Sequence, residues 1–121
     1  MNYQDSSVRF DIIVEGTALK ATFRGTSTLP GTDAFIQAIE GQIAEHGSGT
    51  VRILMDLRGL EHIPMRVHMK MSAWLLRIKH QLAQVVVLGG GRAAKALVKG
   101  ARMSNVTFCE SEEAALKQWR D

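Results

Sequence analysis

Ala83-Gln84-Val85-Val86-Val87-Leu88, followed at once by Gly89-Gly90-Gly91, is the stretch that decides the fold. It is almost wholly apolar, β-branched at its centre, and bounded by glycines, which reads as a strand. A strand without a polar side must be covered on both faces, and this is the situation of a central strand in a parallel sheet flanked by helices. The residues on either side supply those helices. Pro64 suits the first turn of a helix, where its missing N–H costs nothing, and that helix runs to about His80. After the glycines, Ala93, Ala94, Leu97, Val98 and Ala101 recur along one side of another helix.

Moving outward, Val51 to Leu57 reads as a strand and Arg58 to Ile63 as a loop. Val8 to Val14 and Thr17 to Arg24, joined through Glu15-Gly16, read as a hairpin. Leu29-Pro30-Gly31 reads as a break, after which Thr32 caps a helix with Asp33 in its first turn. Phe35, Ile36, Ile39 and Ile43 form the apolar stripe of that helix, and Gly47 and Gly49 end it. Val106 to Cys109 is a short last strand. Ser111 then caps a helix that opens with Glu112-Glu113 and closes with Lys117 and Arg120, charges that complement the helix dipole. The expected order is ββαβαβαβα: residues 1–121 as one α/β domain, with a five-stranded, mostly parallel sheet, an N-terminal hairpin and right-handed crossovers.

Composition narrows the function classes. The chain is 45% hydrophobic and 22% charged, which excludes a disordered chain as the default reading. No apolar run approaches the roughly 20 residues of a membrane span. The single cysteine, Cys109, forms no internal disulfide, and Met1 to Arg9 has no apolar core of a secretory signal, so a reducing, cytoplasmic setting is expected. The net charge of +3 hides an uneven distribution. From Met65 to Cys109 the chain carries Arg66, Lys70, Arg77, Lys79, Arg92, Lys95, Lys99 and Arg102 and no acid. Such a surface either favours anionic partners or serves solubility.

The motifs that could carry chemistry are few. Gly89-Gly90-Gly91-Arg92 stands between a strand and a helix, where glycines let an anion approach backbone N–H groups. It departs from the phosphate-loop pattern in lacking the second glycine and the hydroxyl, and from the dinucleotide pattern in having Ala94 at the third glycine. A tight structural turn is the plainer reading. His46, His62, His68 and His80 show no metal-ligand spacing, and neither Ser72, Ser104 nor Cys109 sits in a nucleophile motif. Asp56, at a strand end, reads as a cap for the loop N–H groups near Arg58 and Gly59. No catalytic residue, metal or cofactor is expected, and with 6% aromatics and no basic-aromatic motif, no nucleic acid.

The helix from Pro64 to His80 is the unusual element. Val67, Met71, Trp74, Leu75 and Ile78 make one apolar face, and Met65, Met69, Ala73 and Leu76 a second. A surface helix needs one such face. The helix is therefore buried on both sides, or its second face meets a ligand, a membrane or a partner. Methionine-rich surfaces re-pack around varied ligands. Met65, Met69, Met71, Trp74 and Leu76 are the candidate residues for a non-polar ligand. Arg66, Lys70, Gly90, Gly91, Arg92, Lys95 and Lys99 are the candidates for an anionic headgroup.

Val51 to Gly59, VRILMDLRG, resembles the strand and loop that STAS domains place before their second helix, and Val106 to Trp119, VTFCESEEAALKQW, resembles the close of the SpoIIAA-like family. The hairpin, the Pro-Gly-Thr-Asp start of the first helix and the element order agree. The resemblance implies a STAS-like β-α superhelix and a non-catalytic regulatory role. STAS domains of the anti-anti-sigma type carry a phosphorylatable serine in a segment that here reads Ile63-Pro64-Met65-Arg66-Val67, without a hydroxyl. The SpoIIAA-like branch implies binding of non-polar molecules at membranes; with the basic run, the expectation is a non-polar or amphiphilic molecule and an anionic membrane surface met from the cytoplasmic side. The alternative is an interaction module acting through a homodimer or an acidic partner protein.

Overall fold

The first strand is one that patterning did not reveal. In the computed structural model, which describes residues 1–100 and 102–120, Asn2–Gln4 (β1) pairs antiparallel with Val8–Glu15 (β2), Tyr3 opposite Phe10. Three residues are too few to display alternation; β1 is held by the turn that follows it. The Asp5 carboxylate accepts the N–H groups of Ser7 and Val8 at 2.8 and 2.9 Å, and the hydroxyls of Tyr3 and Thr28 at 2.9 and 2.6 Å. Tyr3 stacks on Phe10 with ring centroids 5.4 Å apart. β2 and Ala18–Thr26 (β3) form the expected hairpin.

Leu29–His46 (α1) starts earlier than expected. Its cap is Thr28, whose extended backbone and Oγ1, accepting Gly31 N–H at 3.1 Å, begin the helix; Thr32 lies inside it. Leu29-Pro30-Gly31 is therefore the first turn and no break, since proline is tolerated there. Phe35, Ile39 and Ile43 are buried as expected, and Gly47 ends the helix.

Val51–His62 (β4) is also longer than expected. Arg58 to His62 stays in the sheet, pairing with β3 as far as Thr26↔His62 through two register shifts. Gly59 permits this, because a Cβ there would stand 2.6 Å from the Phe23 carbonyl oxygen. Met65–Ile78 (α2) follows, then a single 3-10 turn, Leu82–Leu88 (β5), Gly91–Gly100 (α3), Val106–Cys109 (β6) and Glu112–Arg120 (α4). Ser111 Oγ accepts Ala114 N–H at 3.2 Å, the expected cap of α4. Ala101 and the Arg120 side chain lie outside the described residues.

The sheet has six strands rather than five, in the order β1-β2-β3-β4-β5-β6, antiparallel up to β3 and parallel from β3 to β6. Because parallel crossovers are right-handed and the order is sequential, α1, α2 and α3 fall on one face. The main core lies between them and the sheet and includes Phe10, Leu19, Phe35, Ile39, Ile53, Val67, Trp74, Val85 and Val87. A smaller core under α4 covers the other face of β4 to β6: Leu54, Val86, Leu88, Cys109 and Ala115, with Trp119 packed beside them. Arg52 fastens α4 there. Its guanidinium lies 4.6 Å from the Trp119 ring centroid, donates to Gln84 Oε1 at 3.0 Å and to the Trp119 carbonyl.

Two outcomes follow. Val86 is fully enclosed beneath α4, so Val86→Ala should cost about 1–3 kcal/mol in urea unfolding; a change within error would mean that α4 does not cover β5. The Asp5 carboxyl is held well below the usual carboxylate range, first by the Thr28 hydroxyl and then by the Ser7 and Val8 N–H groups. The stability it contributes is fully present above an unfolded pKa of about 4 and fades as pH falls below it. Asp5→Asn should lower the melting temperature at neutral pH, with the gap to wild type narrowing from about pH 4 downward. A gap that stays constant into that acid range would show that the carboxylate's charge is irrelevant.

Candidate functional site: the α2–α3 face and the cavity behind it

α2 is two-sided. Val67, Met71, Trp74, Leu75 and Ile78 are buried against the sheet and neighbouring helices. Trp74 packs edge-on to Phe35, with centroids 6.2 Å apart, and its Nε1–H donates to Glu40 Oε1 at 2.9 Å. On the opposite side Met65, Met69 and Leu76 are 71, 65 and 48% exposed. The structure therefore does not bring the five candidate ligand residues together: Met71 and Trp74 face inward, and the other three face outward.

Behind α2 lies an apolar cavity of about 70 Å³ between the sheet and the three helices. Met71 is the one candidate ligand residue that lines it, alongside Phe23, Phe35, Met55, Val87 and Leu97. Its polar lining is confined to Ser27, Thr28 and Thr32 near the start of α1. Thr28 and Thr32 are already engaged, Thr32 Oγ1 donating to the Thr28 carbonyl at 2.7 Å. Sequence reasoning had not singled out this lining, because residues from every central element meet in it.

The candidate anion residues also divide. Lys70 pairs with Asp33, and Arg77 lies 3.6 Å from Glu40, so the α1 side of α2 is neutralised. Arg66, Arg92, Lys95 and Lys99 are exposed, and among the described residues no carboxylate pairs with them. Gly89, Gly90 and Gly91 all have positive φ. The Gly89 N–H is used by the Cys109 carbonyl at 3.0 Å. A Cβ on Gly90 would stand 2.7 Å from Ala94 Cβ and 2.9 Å from Leu57 Cδ1, whereas one on Gly91 would meet nothing within 4 Å. Close packing accounts for Gly90 and the left-handed backbone for Gly91. Asp56 has the expected capping role: Oδ1 accepts Arg58 N–H at 3.1 Å, and the Arg58 guanidinium holds its carboxyl below the ordinary range. Arg58 reaches on to Glu112 at 3.9 Å. Among the described residues no cluster of His, Cys, Asp or Glu could hold a metal ion, and no helix is long and apolar enough to cross a membrane.

With this geometry in place, solved structures give a clear likeness. An uncharacterised protein of the DUF3478 family from Shewanella loihica PV-4, described as having a SpoIIAA-like fold, superposes with a TM-score of 0.69 over 98% of both chains, at 15% identity. The fold is SpoIIAA-like. An anti-sigma factor antagonist from Mycobacterium paratuberculosis matches this SpoIIAA-like chain with a TM-score of 0.62 and 17% identity, covering 95% of this chain and 96% of that one. The Bacillus cell fate determinant SpoIIAA in its phosphorylated form matches with a TM-score of 0.62 and 13% identity, covering 92 and 99%. Neither a protein-family profile nor a curated protein sequence matches the chain.

The packing account of the glycine turn is open to test. Gly91→Ala should cost about 1–2 kcal/mol, the strain of a left-handed residue with a side chain. Gly90→Ala carries the same strain plus overlap with Ala94 and Leu57, and should cost about 1–3 kcal/mol more. Equal losses in urea unfolding would remove the packing explanation.

Proposed function

We propose that this SpoIIAA-like domain is a non-catalytic regulatory module that works by contact with a partner protein through the outer face of α2. The observation that carries this reading is the exposed row Met65, Met69 and Leu76. Large apolar side chains aligned on one helix face mark interaction surfaces, and methionine is enriched in interfaces. Two of the structural neighbours are, by their names, an antagonist of an anti-sigma factor and a cell fate determinant, which supports a regulatory role. The Bacillus neighbour is described in a phosphorylated form; in this chain Ile63 to Val67 offers no hydroxyl, so contact here is independent of a phosphate in that segment.

A second reading, a non-polar or amphiphilic molecule in the cavity, is supported by the apolar lining. Size sets its limit. At about 70 Å³ the cavity is roughly half the ~150 Å³ that accommodates benzene in an engineered core, so an acyl chain would require α2 to move outward. The outer row needs no such movement, and for that reason protein contact leads.

A photo-crosslinking residue at Met69 is expected to give a discrete protein adduct in host cells, while one at Ile13, exposed on the far side of the sheet, gives none. An adduct of twice the chain's mass would identify the partner as a second copy. Equal labelling from both positions, or none from Met69, would sink the contact reading.

A further inference from the structure

We propose that the partner segment is an acidic amphipathic helix lying along α2 and α3, with its apolar side on Met65, Met69 and Leu76 and its carboxylates over Arg66, Arg92, Lys95 and Lys99. This rests on the protein-contact reading and names the chemistry of the partner.

The apolar side of the site is a narrow line. Residues 65, 69, 73 and 76 recur at helical spacing, and Ala73 keeps the line low between Met69 and Leu76. The line spans about 16 Å, three turns of a helix. α3 packs directly beside it: Ser72 Oγ donates to the Leu97 carbonyl at 3.4 Å and lies 3.5 Å from where a Gly100 Cβ would stand. Two adjacent helices of this kind present the surface on which a third amphipathic helix docks.

Charge identifies the kind of helix. The outer side of α3 carries Arg92, Lys95 and Lys99, and the helix contains no acid. That arrangement works against α3 itself. Arg92 stands in the first turn, at the positive end of the helix dipole, and Lys95 and Lys99 are a like-charge pair at i,i+4 spacing. Residues that oppose local folding preferences, with no carboxylate pairing them among the described residues, point to a partner. Arg66, likewise without a carboxylate among the described residues, extends the cationic set to the start of α2.

The other flank of α2 decides between a helix and a flat anionic surface. Asp33 and Glu40 stand there with side chains 49 and 47% exposed. Paired with Lys70 and Arg77, they leave that flank without net positive charge, so a broad anionic bilayer pressed over α2 would find cations on its α3 side alone. A helix about 10 Å across engages α2 and α3 without reaching that flank. A second copy docking through the same face would set its own cations against these.

The test uses the whole protein and a synthetic helical peptide with leucines along one stripe and glutamates on both sides, followed by fluorescence anisotropy. A peptide of the same composition with the stripe scrambled is the control, and vesicles of mixed anionic and neutral phospholipid are the competing surface. Binding should weaken at least tenfold on scrambling, in Met69→Asp, and in the triple variant Arg92→Gln/Lys95→Gln/Lys99→Gln. It should fall with added salt and remain unchanged in Lys20→Gln/Arg24→Gln, which alters the opposite face of the sheet. Circular dichroism checks that each substitution leaves the fold intact. Equal binding of both peptides would reduce the effect to charge attraction and overturn the proposal. So would co-sedimentation with the vesicles that depends on the same residues while the peptide stays free. If Met69 still crosslinks to a protein but the peptide does not bind, the acidic helix is wrong and protein contact stands; loss of both removes both.

Discussion

Val85, Val86, Val87 and Leu88 are all buried, and their side chains alternate between two separate cores. This one strand imposes most of what surrounds it. Val85 and Val87 need the layer made by α1, α2 and α3, while Val86 and Leu88 need α4. A sequential parallel sheet with right-handed crossovers places three helices on the same face and leaves the fourth free to cover the reverse side. The asymmetry has a consequence for function. Three neighbouring helices offer outward faces on one side, and on the other a single short helix is fastened through Arg52 and Trp119.

Much of this was legible in the residues, and the failures share a cause. The hairpin, the parallel strands, the cap at Ser111 and the buried row of α2 follow from periodicity and local chemistry. β1 escaped because its stability comes from Asp5 bonding across 23 residues to Thr28, a contact no local pattern announces. The same Thr28 capped α1 four residues before the expected position, since Leu29-Pro30-Gly31 reads equally as a break or as a first turn. β4 outran its expected end because Gly59 allows the backbone to approach β3, which is visible only when the two strands are adjacent.

The site shows a similar division. The second apolar face of α2 and the acid-free basic run were both apparent, but their relation was not. Sequence spacing treated Lys70 and Arg66 alike. Packing of α1 against α2 gave Lys70 and Arg77 acidic partners, while among the described residues Arg66 and the α3 cations have none. Likewise, the five residues proposed for one ligand split between the interior and the outer surface, because a helix that touches a sheet has room for one inward face.

By itself the sequence determined the α/β class, the strand covered on both faces, the two-sided α2 and the lack of a hydroxyl between Ile63 and Val67. Each is a property of spacing or of residue identity, and these are local. The tertiary structure alone decided the sixth strand, the size of the cavity, the packing role of Gly90 and which cations of α2 pair with the acids of α1. Each of those depends on groups distant in the chain arriving within a few ångströms of one another, and neither spacing nor propensity measures that distance.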